Sequence, residues 1–262
     1  MRFLRCIAAA ILMYTRIPVP RFKMNDDDMK HCIMFLPLVG ALIAAVMFYC
    51  ARFMSTVGVP LTARALLAVV IPLLVTGGFH VDGFMDTVDA LCSYRDKEKK
   101  LEILSDPHIG AFSVVGAGTA GLLMIASFVI ILSLETTKSV PVFIFACLIF
   151  VVSRALAALT SVLMKKAKDD GMLAAETSGS ETAIIAVTGV QLIAALSFAA
   201  YLDIKAAAVI VAAFVVFTVY YGLMTKKDFG GVTGDTAGYY VTAGEVFAVL
   251  VLAVSEVILL AG

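Results

Sequence analysis

The sequence predicts an all-α, polytopic integral membrane protein with six or seven transmembrane helices and a short interfacial segment at its N-terminus. Of its 262 residues, 61% are hydrophobic and only 15% are charged, whereas soluble domains are about 45–50% apolar and about 25% charged. Apolar stretches that reach the roughly 20 residues needed to cross a bilayer recur along the chain. Because neither a repeat nor a linker divides it, residues 1–262 are expected to form a single integral membrane helical domain.

The elements follow from the lengths of the apolar runs. Residues 1–14 have a basic start and an apolar run of about ten residues, too short to span. Since no small-residue cleavage site follows, we interpret them as an interfacial or re-entrant segment rather than a signal peptide. Seven longer stretches can each cross the membrane as a helix: 31–54, 61–79, 110–134, 140–163, 182–202, 204–224 and 241–261.

The basic residues predict an orientation. If all seven stretches span and the loops alternate, one side of the membrane receives 15 of the 20 Lys and Arg residues. By the positive-inside rule that side is cytoplasmic. The acidic motifs fall on the same side, so we expect a multi-pass protein of the cell (inner) membrane whose site faces the cytoplasm. The formal net charge of zero gives no indication of nucleic-acid binding.

The motif GGFHVDGFMDTVDAL, residues 77–91, places three aspartates in a short polar segment. On a helix, Asp82, Asp86 and Asp89 occupy positions i, i+4 and i+7, and their directions fall within an arc of about 60°. These three residues lie on one face of the helix and are called the aspartate stripe. Their carboxylates repel each other unless a cation lies between them. Oxygen ligands of this kind suit Mg²⁺ together with substrate phosphates. The alternative is an amphipathic interfacial helix whose acids face water.

Two further features could bind phosphate. The motif GGVTGDTAG, residues 230–238, surrounds Asp235 with glycines that let a ligand approach the backbone, although a flexible connector fits it equally well. Arg154 lies inside a predicted span, where charges usually mark a pathway or a site, and its guanidinium matches phosphate oxygens. The alternative for Arg154 is an ion pair with an aspartate of the stripe. Together these motifs indicate chemistry on a diphosphate, in which a carboxylate takes a proton from an attacking hydroxyl.

Five motifs occur in order along the chain: TRIPVP (15–20), FLPLVG (35–40), GGFHVDGFMDTVDAL (77–91), SDPHIGAFSVVG (105–116) and GGVTGD (230–235). With them the chain resembles the cobalamin synthase family, the adenosylcobinamide-GDP ribazoletransferases, over nearly its whole length. The resemblance implies a Mg²⁺-dependent membrane transferase of the last stage of cobalamin biosynthesis. Such enzymes join adenosylcobinamide-GDP to α-ribazole, or to its 5′-phosphate, and release GMP.

The resemblance also implies roles for individual residues. The metal ligands would be Asp82, Asp86 and Asp89. Asp86 and Asp235 would be catalytic, with Asp235 either a further ligand or the base. The expected substrate-binding residues are Arg154, His80, Arg16, Asp106, Gly231 and Gly234. The chain departs from the family pattern at Ser113, where glycine is common, and at His108, where arginine is common.

Other classes compete with this interpretation. A CDP-alcohol phosphotransferase would show D-x-x-D-G-x-x-A-R, but here the spacing is D-G-x-x-D-x-x-D and no Ala-Arg pair follows. An aspartate-motif prenyltransferase is a related alternative. A transporter would show paired helix breaks in two similar halves, and the sequence has no such repeat. Metal number, the preferred ribazole form and homo-oligomerisation stay open at this point.

Overall fold

The computed structural model describes residues 2–19, 25–134, 140–168 and 171–261, so parts of three predicted loops lie outside it. The described chain folds entirely into helices, apart from one isolated β-bridge: α1 (Arg2–Tyr14), α2 (Asp26–Cys32), α3 (Leu36–Thr56), α4 (Leu61–Thr76), α5 (Phe79–Cys92), α6 (Lys97–Ile103), α7 (Ala111–Ser133), α8 (Phe143–Leu163), α9 (Met172–Glu176), α10 (Glu181–Leu202), α11 (Ile204–Asp228) and α12 (Gly234–Ala261). Within these residues six helices are long and apolar enough to span, or seven if the bent pair α4–α5 counts as one span. The predicted fold class is confirmed.

Helix α8 forms the centre of the bundle. It packs against α3, α10 and α12, and α12 in turn packs against α5, α7 and α11. Helices approach closely where small residues face each other, as is usual in membrane bundles. At Gly40 of α3, for example, an added Cβ would overlap the backbone carbonyl of Phe150 on α8. Most of α8 is consequently buried.

The chain turns sharply between α4 and α5, which are bent by 98° relative to each other. Gly77 and Gly78 lie at the bend with φ values of +66° and +83°, a region that L side chains rarely adopt. The backbone N–H of Arg16 donates to the carbonyl of Val75 over 2.8 Å, and the Arg16 side chain lies against Gly77. The glycine pair therefore ends the membrane segment α4 and turns α5 across the end of the bundle.

Three loops meet at the same end of the bundle as α5. The backbone of residues 165–167 pairs with Val232, and Lys100 forms an ion pair of 2.6 Å with Asp228. Lys168 donates to the Ser105 hydroxyl over 3.1 Å. These contacts join the segments that follow α5, α8 and α11. The loops that the sequence assigns to one side of the membrane thus lie together, while the identity of that side stays a prediction.

Buried polar side chains from α1, α5 and α9 form a small cluster. Tyr14 of α1 and Glu176 of α9 are both almost fully buried and line a small cavity of about 30 Å³ with His80. Burial raises the pKa of Glu176 to about 7. Burial likewise raises the pKa of Tyr14. Glu176 is therefore expected to be largely protonated in the folded protein below neutral pH.

We expect this carboxyl group to make stability depend on pH. Its pKa is raised on folding, so the folded protein holds the proton more tightly, and stability falls as pH rises from the ordinary value of 4.5 through about 7. The thermal midpoint in detergent should thus fall between about pH 5 and about pH 8. In Glu176→Gln this fall should be smaller, whereas the exposed control Glu102→Gln should behave as the wild type. Equal pH dependence in both variants would contradict the assignment.

Candidate active site

Two glycines bring α5 against the N-terminal end of α12. An added Cβ on Gly83 would lie 2.8 Å from the backbone oxygen of Asp235, and one on Gly238 would lie 2.9 Å from that of His80. The rings of Phe84 and Tyr239 stack beside this crossing with centroids 5.6 Å apart. Because the two backbones touch here, the stripe on α5 and the first turn of α12 form one site.

The carboxylates at this crossing form a region of excess negative charge. The pKa of Asp86 is raised to about 6, first by partial burial and then by the charges of Asp82, Asp235 and Asp89. Among the described residues, Asp82, Asp86 and Asp235 have neither an ion-pair partner nor a side-chain hydrogen-bond donor. An arrangement of this kind favours a cation between the carboxylates.

Asp89 is placed differently from the other two residues of its stripe. Its carboxylate accepts backbone N–H bonds from Gly110, over 2.7 Å, and from Ser113, over 2.9 Å. It thus caps the N-terminus of α7, where a negative charge is favourable. Ser113, a departure from the family pattern, also donates its hydroxyl to the Gly110 carbonyl over 2.6 Å. The metal role of Asp89 stays a prediction, and in the structure this residue joins α5 to α7.

The oxygen donors at the crossing fit a magnesium ion whose coordination is completed by substrate. In the part of the chain that the structure describes, no group of three or more His, Cys, Asp or Glu side chains is placed to hold a metal by itself. Mg²⁺ usually binds through one or two carboxylates together with substrate phosphates and water. Asp82, Asp86 and Asp235 are the residues that could supply those carboxylates.

A cleft of about 330 Å³ opens beside these residues. Asp82, Thr233, Gly234 and Asp235 line it, and Lys168 reaches it from the segment after α8. Thr233 and Thr236 cap the start of α12 reciprocally, each accepting the other's backbone N–H. The cleft therefore combines a helix N-terminus with a lysine, both of which attract anions. Lys168 was not predicted from the sequence, because the spacing of a lysine in a charged loop does not mark it as a ligand-binding residue.

A second, more open groove of about 580 Å³ lies on the other side of Asp82. Arg16, Gly77, Gly78 and Met85 line it, and it shares Asp82 with the cleft. The structure therefore places the predicted residue Arg16 beside the aspartate stripe, although the two are far apart in sequence. The result is two spaces for ligands that meet at Asp82.

Arg154 forms a buried ion pair, but its partner is Glu245 of α12 rather than an aspartate of the stripe. Ser153 donates to the same carboxylate over 2.7 Å, and Arg154 also donates to the Phe150 carbonyl over 3.0 Å. The predicted residue His80 is also buried and lines a cavity together with Arg154 and Glu245. Glu245 was not predicted from the sequence, because an isolated acidic residue in an apolar run gives no indication of which residue it pairs with.

Of the remaining predicted residues, Asp106 and Gly231 line neither the cleft nor the groove. Asp106 is exposed and accepts a hydrogen bond of 3.0 Å from the backbone of His108. Hydrogen bonds from His108 lower the pKa of Asp106. Gly231 packs against the backbone of residues 165–167, where an added Cβ would overlap it. Gly231 thus shapes the loop, while Gly234 lines the cleft. Substrate contacts of these residues stay predictions.

The fold and the site define a multi-pass membrane protein with a cluster of carboxylates at one end of its bundle. The model of the cobalamin-5-phosphate synthase family matches residues 6–253. The chain therefore belongs to that family, and the predicted class, a membrane transferase of cobalamin biosynthesis, is confirmed.

Curated relatives match along nearly their whole length. The adenosylcobinamide-GDP ribazoletransferase of Lachnoclostridium phytofermentans is 33% identical over 264 residues, which cover 100% of this chain and 98% of the relative. The enzyme of the same name from Geobacillus kaustophilus is 34% identical, covering 90% of each chain. That of Escherichia coli O127:H6 is 32% identical, covering 93% of this chain and 97% of the relative. No solved structure matches the chain significantly.

The capping role of Asp89 can be separated from the role of its neighbour on the stripe. Asp89→Asn should lower the free energy of unfolding by about 1–2 kcal/mol, because the amide has one acceptor oxygen and no charge for the α7 N-terminus. Asp86→Asn removes only mutual repulsion and should leave stability unchanged or higher. Thermal unfolding of the two variants in detergent measures the difference. Equal midpoints would show that the cap is not important for stability.

The ion pair between Arg154 and Glu245 should behave as a unit. Glu245→Leu leaves the buried guanidinium uncompensated, and breaking such a pair costs about 3–5 kcal/mol. Arg154→Met combined with Glu245→Leu should recover most of that loss, because neither charge is then stranded. The measurement is a double-mutant cycle of unfolding midpoints. Additive losses in the double variant would be evidence against coupling.

Proposed function

We propose that this protein transfers the adenosylcobinamide phosphate group of adenosylcobinamide-GDP to α-ribazole, or to its 5′-phosphate, with release of GMP. The observation that carries the proposal is the meeting of two ligand spaces at Asp82, with the carboxylates of Asp86 and Asp235 nearby. A transferase that joins two large molecules needs one space for each of them. The names of the relatives supply the substrates.

We assign the diphosphate of the donor to the cleft at the start of α12. Gly234 lets the donor approach the backbone there, and Lys168 supplies a positive charge for phosphate oxygens. Asp82, Asp86 and Asp235 would hold Mg²⁺, which when bound stabilises negative charge on the diphosphate. The cation also offsets the repulsion between these carboxylates and the phosphates.

The acceptor would occupy the groove beside Arg16, with a ribose hydroxyl directed toward Asp82. Its oxygen forms a bond to the phosphorus that carries the cobinamide, and the bond from that phosphorus to the GMP oxygen breaks. The proton of the hydroxyl passes to a carboxylate at the crossing. Asp86 and Asp235 are the candidates, and the raised pKa of Asp86 makes its carboxylate a stronger base than an ordinary one.

We further propose that the site faces the cytoplasm. The clefts lie at the end of the bundle where the segments after α5, α8 and α11 meet. These segments belong to the side that receives most of the basic residues in the sequence, and such segments are normally retained in the cytoplasm.

The test is an assay of the purified protein in nanodiscs with adenosylcobinamide-GDP, α-ribazole and Mg²⁺. We expect GMP and a cobamide product, both lost when EDTA is added. Asp86→Asn should lower turnover by at least about 100-fold. The matched control is Asp203→Asn at the junction of α10 and α11, remote from the clefts, and it should retain activity.

Two results would contradict the proposal. Wild-type protein that makes no product with either form of ribazole would overturn the assigned reaction, and CDP-alcohol donors would be tested next. Near wild-type turnover by Asp86→Asn would leave the reaction in place and remove Asp86 from the catalytic residues.

A further inference from the structure

A separate cavity of about 200 Å³ lies between the middle turns of the bundle, and the steps described above do not use it. Helices α4, α5, α7, α8 and α12 all contribute to its wall. Most of the wall is aliphatic or aromatic, as shown by Val69, Leu73, Phe84, Met124 and Phe150. A space of this character favours an apolar ligand over bulk water.

The wall also carries polar groups that need a partner. Arg154 and His80 both line the cavity, and their side chains are more than nine-tenths buried. Within the described residues, the Nε of Arg154 and the Nδ1 of His80 have no hydrogen-bond partner. Buried donors and acceptors of this kind are rare because leaving them unpaired is costly. A ligand that fits should therefore be apolar along most of its surface but carry at least one polar atom.

The cavity adjoins the groove that we assign to the acceptor. Thr76 and Val81 line both spaces, and His80 of the cavity is two residues from Asp82 of the groove. A single elongated ligand can thus place one end in the cavity and the other beside the carboxylates. Its apolar part would then lie within the membrane part of the bundle.

We propose that this cavity binds the base of the acceptor nucleoside, a planar fused-ring heteroaromatic group, while the ribose lies in the groove beside Asp82. This inference rests on the proposed function. A cavity of about 150 Å³ lined by Leu, Ile and Phe accepts benzene, so the somewhat larger space here suits a substituted fused ring. The ring nitrogen that is not attached to ribose can accept a hydrogen bond from Arg154 or His80. A lipid acyl chain would satisfy the apolar wall but leave both polar groups unpaired.

Two glycines on α7 provide a matched test. Gly121 lines the cavity, and an added Cβ there would meet no described atom within 4 Å, so Gly121→Leu can fill the space without displacing backbone. Gly118 is on the exposed face of the same helix and is equally open, so Gly118→Leu serves as the control. Gly121→Leu should raise the KM for α-ribazole by at least about tenfold. Its KM for adenosylcobinamide-GDP and its kcat at saturation should not change, and Gly118→Leu should match the wild type.

Direct binding provides a readout that does not depend on turnover. The probe is 5,6-dimethylbenzimidazole, titrated calorimetrically into the protein in nanodiscs. Wild type and Gly118→Leu should bind it, and Gly121→Leu should bind at least about tenfold more weakly. This titration remains informative even if the protein catalyses a different reaction.

The outcomes separate the two proposals. Wild-type turnover with an unchanged α-ribazole KM in Gly121→Leu would overturn the base site and leave the transferase assignment standing. An inactive wild type that binds the base, with binding lost in Gly121→Leu, would overturn the reaction and support the cavity. Absence of base binding, together with a copurifying lipid that Gly121→Leu excludes, would show that the cavity holds an acyl chain instead.

Discussion

The contact between α5 and α12 at Gly83 and Gly238 is the feature on which the rest of the site depends. Only hydrogen atoms at these two positions allow the helix backbones to touch, and this contact brings carboxylates from both helices together. Partial burial and then charge repulsion oppose the arrangement, as the raised pKa of Asp86 shows. Packing must therefore stabilise it, and the stacked rings of Phe84 and Tyr239 lie directly beside the contact. The cation proposed for this site would offset that repulsion.

Helix α5 is held at both of its ends. At its start, the left-handed Gly77 and Gly78 turn the chain, and Arg16 lies against the turn. Near its end, the carboxylate of Asp89 caps α7 through two backbone hydrogen bonds. The aspartates of one stripe thus perform different tasks, because one of them stabilises the bundle. The remaining carboxylates have no ion-pair partner and no side-chain hydrogen-bond donor among the described residues, as the proposed site for a cation and a diphosphate requires.

The proposed base site would give the membrane location of the enzyme a structural explanation. The two clefts at the end of the bundle have more polar walls than the adjoining cavity, which is largely apolar. The ion pair between Arg154 and Glu245 lies in the wall of that cavity. In a low-dielectric interior such a pair is retained only if both charges are satisfied. A nucleoside acceptor has the same division, with an apolar base at one end and a hydroxylated sugar at the other.

The sequence by itself determined the helical fold, a count of six or seven spans and the placement of the acidic motifs on one side. These features depend on local properties: the length of an apolar run, the distribution of basic residues and the 3.6-residue period of a helix. Only the tertiary structure decided which partner each polar side chain meets. Asp89 bonds to residues 21 and 24 positions away, and Arg154 pairs with Glu245 across 91 positions. Lys168 reaches the cleft in the same way, through the packing of segments distant in sequence. Nothing in the neighbouring residues encodes such pairings, because they follow from how whole helices pack against one another.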